Sequence, residues 1–443
     1  MKLHVGIDDT DSLEGGCTTY IGAILVDKLQ GVGLRFLDYP NLIRLNPNIP
    51  WKTRGNGAIC LRVEGREDQI EKAIEITLDT VEERAYFRDP TTHPGLVFLR
   101  GEVPPSLNQF SRTVIQDVAQ KRVALKLIGK SHAEAVGYKK GRGVIGALAA
   151  VGATMERCDH TYEFLAYRMP KNVGSPREID AGSVGTMDRR TQPQTFGNID
   201  YETGRILISP RGHDPVLYGI RGESPEVVLR AHAMVRANET MERGVVFRTN
   251  QGTDAHFPGP CLISEIRPHR PVVFVGSVSN IPRAIPGGHV IFRARDGSGE
   301  VDCAAYEPTG RFRDAVKRLR PGDLVKVYGG TRPPSGIIQS PTVNLEKLEI
   351  LRIADCVEIH NPLCPRCGKR MTSMGRGGGF ECRRCGFRSR ALRRVETRGS
   401  RGVRPGLYVP PPRAQRHLTK PISRYGMEKT TPPPYLIEGW HVP

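Results

Sequence analysis

Cys364-Pro-Arg-Cys367 and Cys382-Arg-Arg-Cys385 are two CxxC pairs separated by fourteen residues. Each pair brings two thiolates within reach of one ion, and two such knuckles complete a tetrahedral sulfur site, the pattern of a structural zinc ribbon. The segment between them, Met371-Thr-Ser-Met-Gly-Arg-Gly-Gly-Gly-Phe380, has the length and glycine content of a short ribbon. From Cys364 to Arg424 there are seventeen Lys and Arg and two acidic residues, Glu381 and Glu396. A small metal-stapled knob of this charge suits a phosphate backbone.

The rest of the chain has the same bias. Its 443 residues carry 65 Lys and Arg against 47 Asp and Glu, a formal charge of +18. Such a balance points to a polyanionic partner and says nothing of fold. Cys17, Cys60, Cys158, Cys261, Cys303 and Cys356 lie outside the ribbon without a disulfide-like pattern, which predicts a reducing compartment. The chain begins directly in a strand-like segment, and no apolar stretch approaches the length of a membrane span. The expected location is therefore cytoplasmic, with no membrane partner.

Upstream of the ribbon (357–390), residues 263–356 read as an OB-fold. Pro271–Val278, Gly288–Arg295 and Glu300–Tyr306 are strands, Arg311–Leu319 is a short helix, and Leu324–Tyr328 and Val343–Ile350 are two more strands. Three strands, a helix and two strands is the order of a nucleic-acid-binding OB barrel. The loop 331–341, with Pro333, Pro334 and Pro341, is extended between the last two strands. Residues 158–262 suit a ferredoxin-like fold: strands at Tyr162–Arg168, Arg205–Ser209 and Gly244–Thr249, and a helix over Ser224–Arg236 with Ser224 at its cap and Pro225 in its first turn. Residues 1–157 read as α/β. Downstream, 391–443 form a basic, proline-rich tail whose last residues are expected to be poorly ordered. The fold class is thus multidomain α+β.

Four places carry residues suited to chemistry. Asp8, Asp9 and Asp11 follow the strand Leu3–Ile7, and three carboxylates within four residues repel one another unless a cation such as Mg2+ stands between them. Thr18 and Thr19 follow Gly15-Gly16 at a helix start, where exposed amides and a hydroxyl serve a phosphate or an ordinary cap. Lys52-Thr-Arg54-Gly-Asn-Gly57 and Lys140-Gly141-Arg142-Gly143 are basic glycine loops, suited to phosphate or to a charged surface turn. Tyr218-Gly219-Ile-Arg-Gly222-Glu223, with Gln194-Thr195-Phe196, offers a carboxylate and a glycine-rich backbone for a cationic small molecule, or a structural turn.

Together these stretches resemble the archaeal tRNA(Ile) agmatidine synthetase family, TiaS. Gly6-Ile-Asp-Asp-Thr-Asp-Ser12, Cys17-Thr-Thr-Tyr20, Ile43-Arg-Leu-Asn-Pro47, Pro411-Pro-Arg413 and Arg416-His-Leu-Thr-Lys-Pro421 add to the likeness, which runs in register from residue 1 to about 425. The resemblance implies a ligase that spends ATP, to AMP and pyrophosphate, on attaching agmatine to carbon 2 of the wobble cytidine in the CAU anticodon of isoleucine tRNA. It implies a kinase-like domain over 1–157, with Mg-binding Asp8, Asp9 and Asp11, a phosphorylated Thr18, and ATP near Lys52, Arg54, Lys140, Gly141, Arg142 and Gly143. It implies agmatine against the ferredoxin-like domain, at Gln194, Thr195, Phe196, Tyr218, Gly219, Gly222 and Glu223. The OB-fold, the zinc site of Cys364, Cys367, Cys382 and Cys385, and Arg413, Arg416, His417 and Lys420 of the tail are then the tRNA-binding parts. In Thr92-His93-Pro94-Gly95 this chain has His93 where relatives usually carry Asn. Two other readings fit the residues: a single-stranded nucleic-acid-binding protein without catalysis, and a ligase of a different amine such as lysine. The carboxylate cluster separates the first of these from an enzyme, because a binding platform has no need of it.

Overall fold

The computed structural model describes residues 1–334, 341–355, 357–398 and 401–443. Most of the loop 331–341, and Cys356, lie outside the described residues. The chain opens with β1 (Lys2–Asp8), α1 (Thr18–Gly31), β2 (Arg35–Phe36), β3 (Asn41–Arg44), β4 (Gly57–Glu64), α2 (Glu67–Arg84), β5 (Gly95–Arg100), α3 (Pro105–Gln116), α4 (Lys121–Lys130), β6 (Glu134–Gly137) and α5 (Val144–Gly152). The strands line up as β6-β5-β1-β4-β3, all antiparallel. The apolar run of β1 is long because both of its faces are covered. Leu3, Val5 and Ile7 join the core under α1 and α2, while Val97 and Leu99 of β5 and Cys60 of β4 join the core under α3, α4 and α5. Helix α5 is built of small residues because it lies backbone to backbone on the sheet. A Cβ on Gly6 would stand 2.2 Å from the Ala147 carbonyl oxygen, and one on Gly95 2.0 Å from the Val144 nitrogen.

The second half follows as β7 (Thr161–Arg168), α6 (Ala181–Thr191), β8 (Thr195–Phe196), β9 (Ile199–Asp200), β10 (Arg205–Ile206), β11 (Val216–Gly222), α7 (Pro225–His232) and β12 (Met241–Thr249). The order β12-β7-β11-β8, antiparallel throughout, with α6 and α7 as the crossovers, is the ferredoxin-like arrangement. Ser224 caps α7 as expected, its side chain accepting from the Val227 amide. The helix stops at His232, short of Arg236, and Ala237 bridges Ile179. A short parallel pairing, Arg248 with Asn41 and Thr249 with Leu42, joins the halves into one sheet.

The barrel comprises β13 (Pro271–Val278), β14 (Arg283–Ile285), β15 (His289–Arg295), β16 (Glu300–Ala305), α8 (Phe312–Lys317), β17 (Leu324–Arg332) and β18 (Thr342–Arg352). It closes through β13-β17-β18-β16-β15 and back to β13, the OB topology. A two-stranded ladder of β19 (Val357–His360) and the later β23 (Val395–Arg398) brackets the ribbon strands β20 (Thr372–Ser373), β21 (Phe380–Glu381) and β22 (Arg388–Ser389).

The tail overturns its expectation. Residues from 401 onward run back over all three larger domains. β24 (Gly406–Tyr408) extends the barrel beside β18, and β25 (His441–Val442) pairs with Val245 and Gly244 of β12. Trp440 is buried against Phe36 and Tyr39, with ring centroids 5.5 and 5.9 Å away. Proline and charge gave no periodic signal there, because the tail folds by filling a seam made by other elements.

The joint between barrel and second half is ionic. Glu346 of β18 lies 3.0 Å from His256 Nε2 and 3.0 Å from Arg416 Nε. Burial would raise its carboxyl, but His256 and Arg416 outweigh burial and hold it below the ordinary 4.5. A lowered folded pKa stabilises above the unfolded value and loses that contribution as pH falls through the folded one. Glu346→Gln is expected to cost about 3 kcal/mol at neutral pH. The gap to wild type should narrow as pH falls below the ordinary 4.5 and through the lowered folded value in a denaturation series. A gap independent of pH would remove Glu346 from this role.

Candidate active site between the two halves

A cavity of about 410 Å³ opens where the halves meet. Because β1 runs antiparallel to both neighbours, no topological switch point exists there, and the aspartates reach the cavity as a bend at the strand's end. Asp9 holds the bend with φ +59°. Its Oδ2 accepts from Arg142 Nη2 at 2.9 Å and from the His93 amide at 3.2 Å. Asp11 Oδ2 accepts from Arg54 at 2.7 and 3.0 Å. Arg54 also reaches Asp214 of the second half at 3.1 Å, so one guanidinium spans the cleft. Asp8 has no cationic partner among the described residues. Burial first, then Asp9, pushes its carboxyl well above the ordinary range. Its Oδ2 lies against Gly146 of α5, where a Cβ would stand at 1.9 Å.

The three carboxylates therefore do not converge on one point, as the reading of Asp8, Asp9 and Asp11 as a joint cation site required. Among the described residues, the only acidic, His or Cys group gathered closely enough for a metal is the four cysteines. Two of the aspartates are held by arginines instead, and Asp8 alone is open to a hard cation.

Thr18 is the first residue of α1, and Cys17 is its cap, its Sγ paired with the Thr19 hydroxyl at 3.1 Å rather than with a helix amide. The Thr18 hydroxyl pairs with Thr10 Oγ1 at 2.9 Å. Thr18, with its neighbouring uncapped amides, thus faces the cavity at the positive end of the helix dipole. Lys52 lines the cavity without a partner among the described residues. Of the second basic loop, Arg142 and Gly143 line it, whereas Lys140 is exposed away from it. Gly141 serves the turn at φ +57°.

On the second half the structure corrects the cation-binding expectation. Strand β11 alternates, so Gly219 and Arg221 face the cleft while Tyr218 and Gly222 face α7. Tyr218 bonds His232 at 2.8 Å, Thr195 is buried against Thr191 and Asn198, and Gln194 accepts from Arg230 at 2.9 Å. Phe196 lies under Arg424. Glu223 is already neutralised, by Arg424 and Lys429 of the tail. The acids that do face the cleft are Glu163 of β7 and Asp214. Glu163 accepts from Gln251 and lies 3.5 Å from Arg221, too far for a strong bond. A charged residue inside the apolar strand Thr161–Arg168 was a visible signal for Glu163. Asp214 had none, since only the fold brings it to Arg54.

The basic tail is corrected as well. Arg413 pairs with Asp200 and Glu202 at 2.6 and 2.8 Å, Arg416 with Glu346, and Lys420 with Glu428 at 2.9 Å. His417 enters the cleft, its Nδ1 3.0 Å from Gln251 Oε1. Arg44 and burial, with Arg221 and Lys52, hold its imidazole neutral. Arg413, Arg416 and Lys420 thus fasten the tail through internal acids, while His417 lines the cleft. On the ribbon Arg366, Lys369, Arg376, Arg383, Arg384, Arg390 and Arg394 are exposed and have no acidic partner among the described residues.

The ribbon fits zinc. All four sulfurs lie within 4.8 Å of one another, with Cys364 to Cys385 at 3.5 Å and Cys367 to Cys382 at 3.4 Å. Gly368 and Gly386 close each knuckle by donating to Cys364 and Cys382 carbonyls at 2.9 Å. The ribbon's own core is Met371 and Phe380 with two of the cysteines, too little to fold without an ion. Cys367→Ser is expected to release the zinc and leave residues 361–394 open to protease. Metal analysis and limited proteolysis check it, and a protected ribbon without metal would overturn the assignment.

Models of known families match along the chain: the TiaS TCKD domain at 4–71, the TiaS FLD domain at 141–256, an OB-fold nucleic acid binding domain at 272–351 and the TiaS C-terminal zinc ribbon domain at 361–403. The isoleucine-tRNA 2-agmatinylcytidine synthetase TiaS of Methanosarcina mazei is 44% identical over 429 residues, covering 95% of this chain and 97% of the relative. A crystal structure of TiaS in complex with its isoleucine tRNA and ATP superposes with TM-score 0.85 at 40% identity, over 96% of this chain and 97% of that one. A complex of TiaS with the same tRNA, AMPCPP and agmatine gives 0.82 at 39%, with the same coverage.

Proposed function

The chain belongs to the TiaS family, and from that premise we propose how its cleft carries the reaction. The protein is a ligase that uses ATP to attach agmatine to a cytidine of isoleucine tRNA, giving 2-agmatinylcytidine. The observation that carries the site assignment is one cavity with phosphate-type groups on one wall and buried acids on the other. Thr18, the open amides of α1, Lys52 and Arg142 form the first wall. Glu163 and Asp214 form the second.

The phosphates of ATP lie along the first wall, between the helix N-terminus and the Lys52 and Arg142 side chains. Thr18 presents its hydroxyl to the terminal phosphate. Asp8 is the residue that would hold Mg2+ brought by the nucleotide, and the ion would offset phosphate charge. A cytosine carbonyl oxygen is a poor leaving group toward an amine, and its phosphorylation makes it a good one. The agmatine amine, in its neutral form, then makes the new C–N bond as the C–O bond breaks, the oxygen leaving as inorganic phosphate, which carries off the amine's proton. Arg54 and Arg142 face the charge that develops. Agmatine is a dication, so Glu163 is its counter-charge on this wall, with its guanidinium exchanging against the weakly held Arg221, while Asp214 stays paired with Arg54 and Arg177. The anticodon loop delivers the base unstacked, and the OB barrel and the exposed ribbon arginines hold the RNA. No helix among the described residues is long and apolar enough to cross a membrane, and we propose the cytoplasm as the compartment.

The test is incubation of the full chain with Mg-ATP, agmatine and a CAU-anticodon isoleucine tRNA transcript, followed by mass analysis of the nucleosides. A cytidine heavier by agmatine minus water is expected, with no product from lysine or polyamines. Bound tRNA with unmodified cytidine would overturn the reading.

A further inference from the structure

The sequence has two tryptophans. Trp440 is 6% exposed beneath the tail, whereas Trp51, in the loop between β3 and β4, is 58% exposed while lining the cleft. An indole standing at a cavity mouth forgoes the apolar burial that keeps most tryptophans inside. Its surroundings are not those of a random surface site. The ring of His269, from the segment entering the barrel, lies 6.3 Å away at 43°, so the indole stands at the gap between the first half and the OB barrel. Lys52, the next residue, is half-buried with no acidic partner among the described residues. Burial, and then the Arg416 and Arg332 charges, act against its charged form. Arg416 is answered by Glu346, and Lys52 and Arg332 have no acidic partner among the described residues. An exposed aromatic face beside unanswered cations is the composition that binds single-stranded nucleic acid, one base on the ring and phosphates on the cations.

We propose that Trp51 is a stacking platform for an anticodon-loop base next to the one that enters the cleft, with Lys52 and Arg332 holding the adjoining phosphodiesters. The inference rests on the functional reading above, since it supplies the RNA. It assigns the rim of the cleft to the RNA rather than to the adenine of ATP, whose phosphates lie deeper, at Thr18 and Arg142.

Tryptophan fluorescence tests this directly, because the buried Trp440 supplies a constant background. An anticodon stem-loop with a CAU loop is titrated into wild-type protein and into Trp51→Phe, and Mg-ATP alone is titrated in parallel. Quenching by the stem-loop in wild type, absent in Trp51→Phe and absent with Mg-ATP, is expected. Quenching by Mg-ATP alone, or none with the stem-loop, overturns the proposal. In the modification assay, Trp51→Ala should lower kcat/KM for tRNA roughly 10- to 100-fold, with Trp51→Phe within about threefold of wild type. An unchanged Trp51→Ala also overturns it. If wild-type protein itself makes no agmatinylated cytidine, the functional reading fails instead, and the fluorescence result then stands on its own.

Discussion

Asp8→Asn is expected to slow agmatine transfer about 10²- to 10³-fold while leaving tRNA affinity unchanged. The substitution keeps the shape of the side chain, so the close fit against Gly146 survives and the fold is undisturbed. What it removes is the one carboxylate of the cluster that no arginine neutralises. Asp9 and Asp11 are tied to Arg142 and Arg54 in the same cleft, and their charge is already balanced. In the absence of a cation the ionised form of Asp8 is disfavoured by burial and by Asp9. Binding of Mg2+ with ATP would reverse that preference, so the reaction should draw on Asp8 only when the nucleotide is present. Single-turnover rates at saturating Mg-ATP, with filter binding of tRNA, measure the two effects separately. Near-normal turnover in Asp8→Asn would place the metal and the phosphates elsewhere. Asp9→Asn makes a useful contrast, because it leaves Arg142 uncompensated and should weaken the positioning of the loop as well as the rate.

Arg424→Met should destabilise the second half by about 3–5 kcal/mol. Arg424 is fully buried. It donates to Asp159 at 3.0 and 3.1 Å, to Glu223, and to the Gly252 carbonyl at 2.6 Å. Its loss leaves two largely buried carboxylates, Glu223 with Lys429 and Asp159 with Lys420 at 3.5 Å, and desolvated charge stripped of its main counter-ion is costly. Adding Glu223→Gln to the same chain should recover part of the loss, since one orphaned charge disappears. Urea denaturation of the two variants against wild type reads both numbers. A loss under about 1 kcal/mol for Arg424→Met would mean that the tail lies on the surface without fastening it.

The same arginine marks how far local reading carried. Glu223 looked like a cation site because a carboxylate follows a glycine-rich turn, and it does bind cations. They come from residues 424 and 429, two hundred positions away, and nothing in the segment Tyr218–Glu223 names them. The tail erred in the same direction: Arg413, Arg416 and Lys420 read as free positive charge, and each has an internal acid. Charge counted along a sequence is gross charge. What remains for a partner depends on which acids the fold brings near.

The aspartates show a finer version. Their position at the end of β1 was legible from the apolar run that precedes them. Their division into one open and two paired carboxylates was not, because it depends on Arg54 and Arg142 arriving from two loops. Glu163 was half legible, as an acid within an apolar strand. Asp214 and the stacking face of Trp51 were not, since a loop residue's neighbours are set by what packs around it.

The sequence by itself determined what local periodicity and covalent spacing control. Two CxxC knuckles make a sulfur site wherever the ribbon hangs, and five alternating strands with a helix after the third close a barrel. Small residues over 144–152 require a helix laid directly on a sheet. These follow from short-range geometry, in which each residue's role is set by neighbours a few positions away. The tertiary structure alone decided the cleft and its charge. The parallel seam at Asn41 and Arg248, the arginine that spans Asp11 and Asp214, and the tail drawn into that seam are contacts between distant segments. They form because burying apolar faces forces the halves together, and only then do charges find their partners.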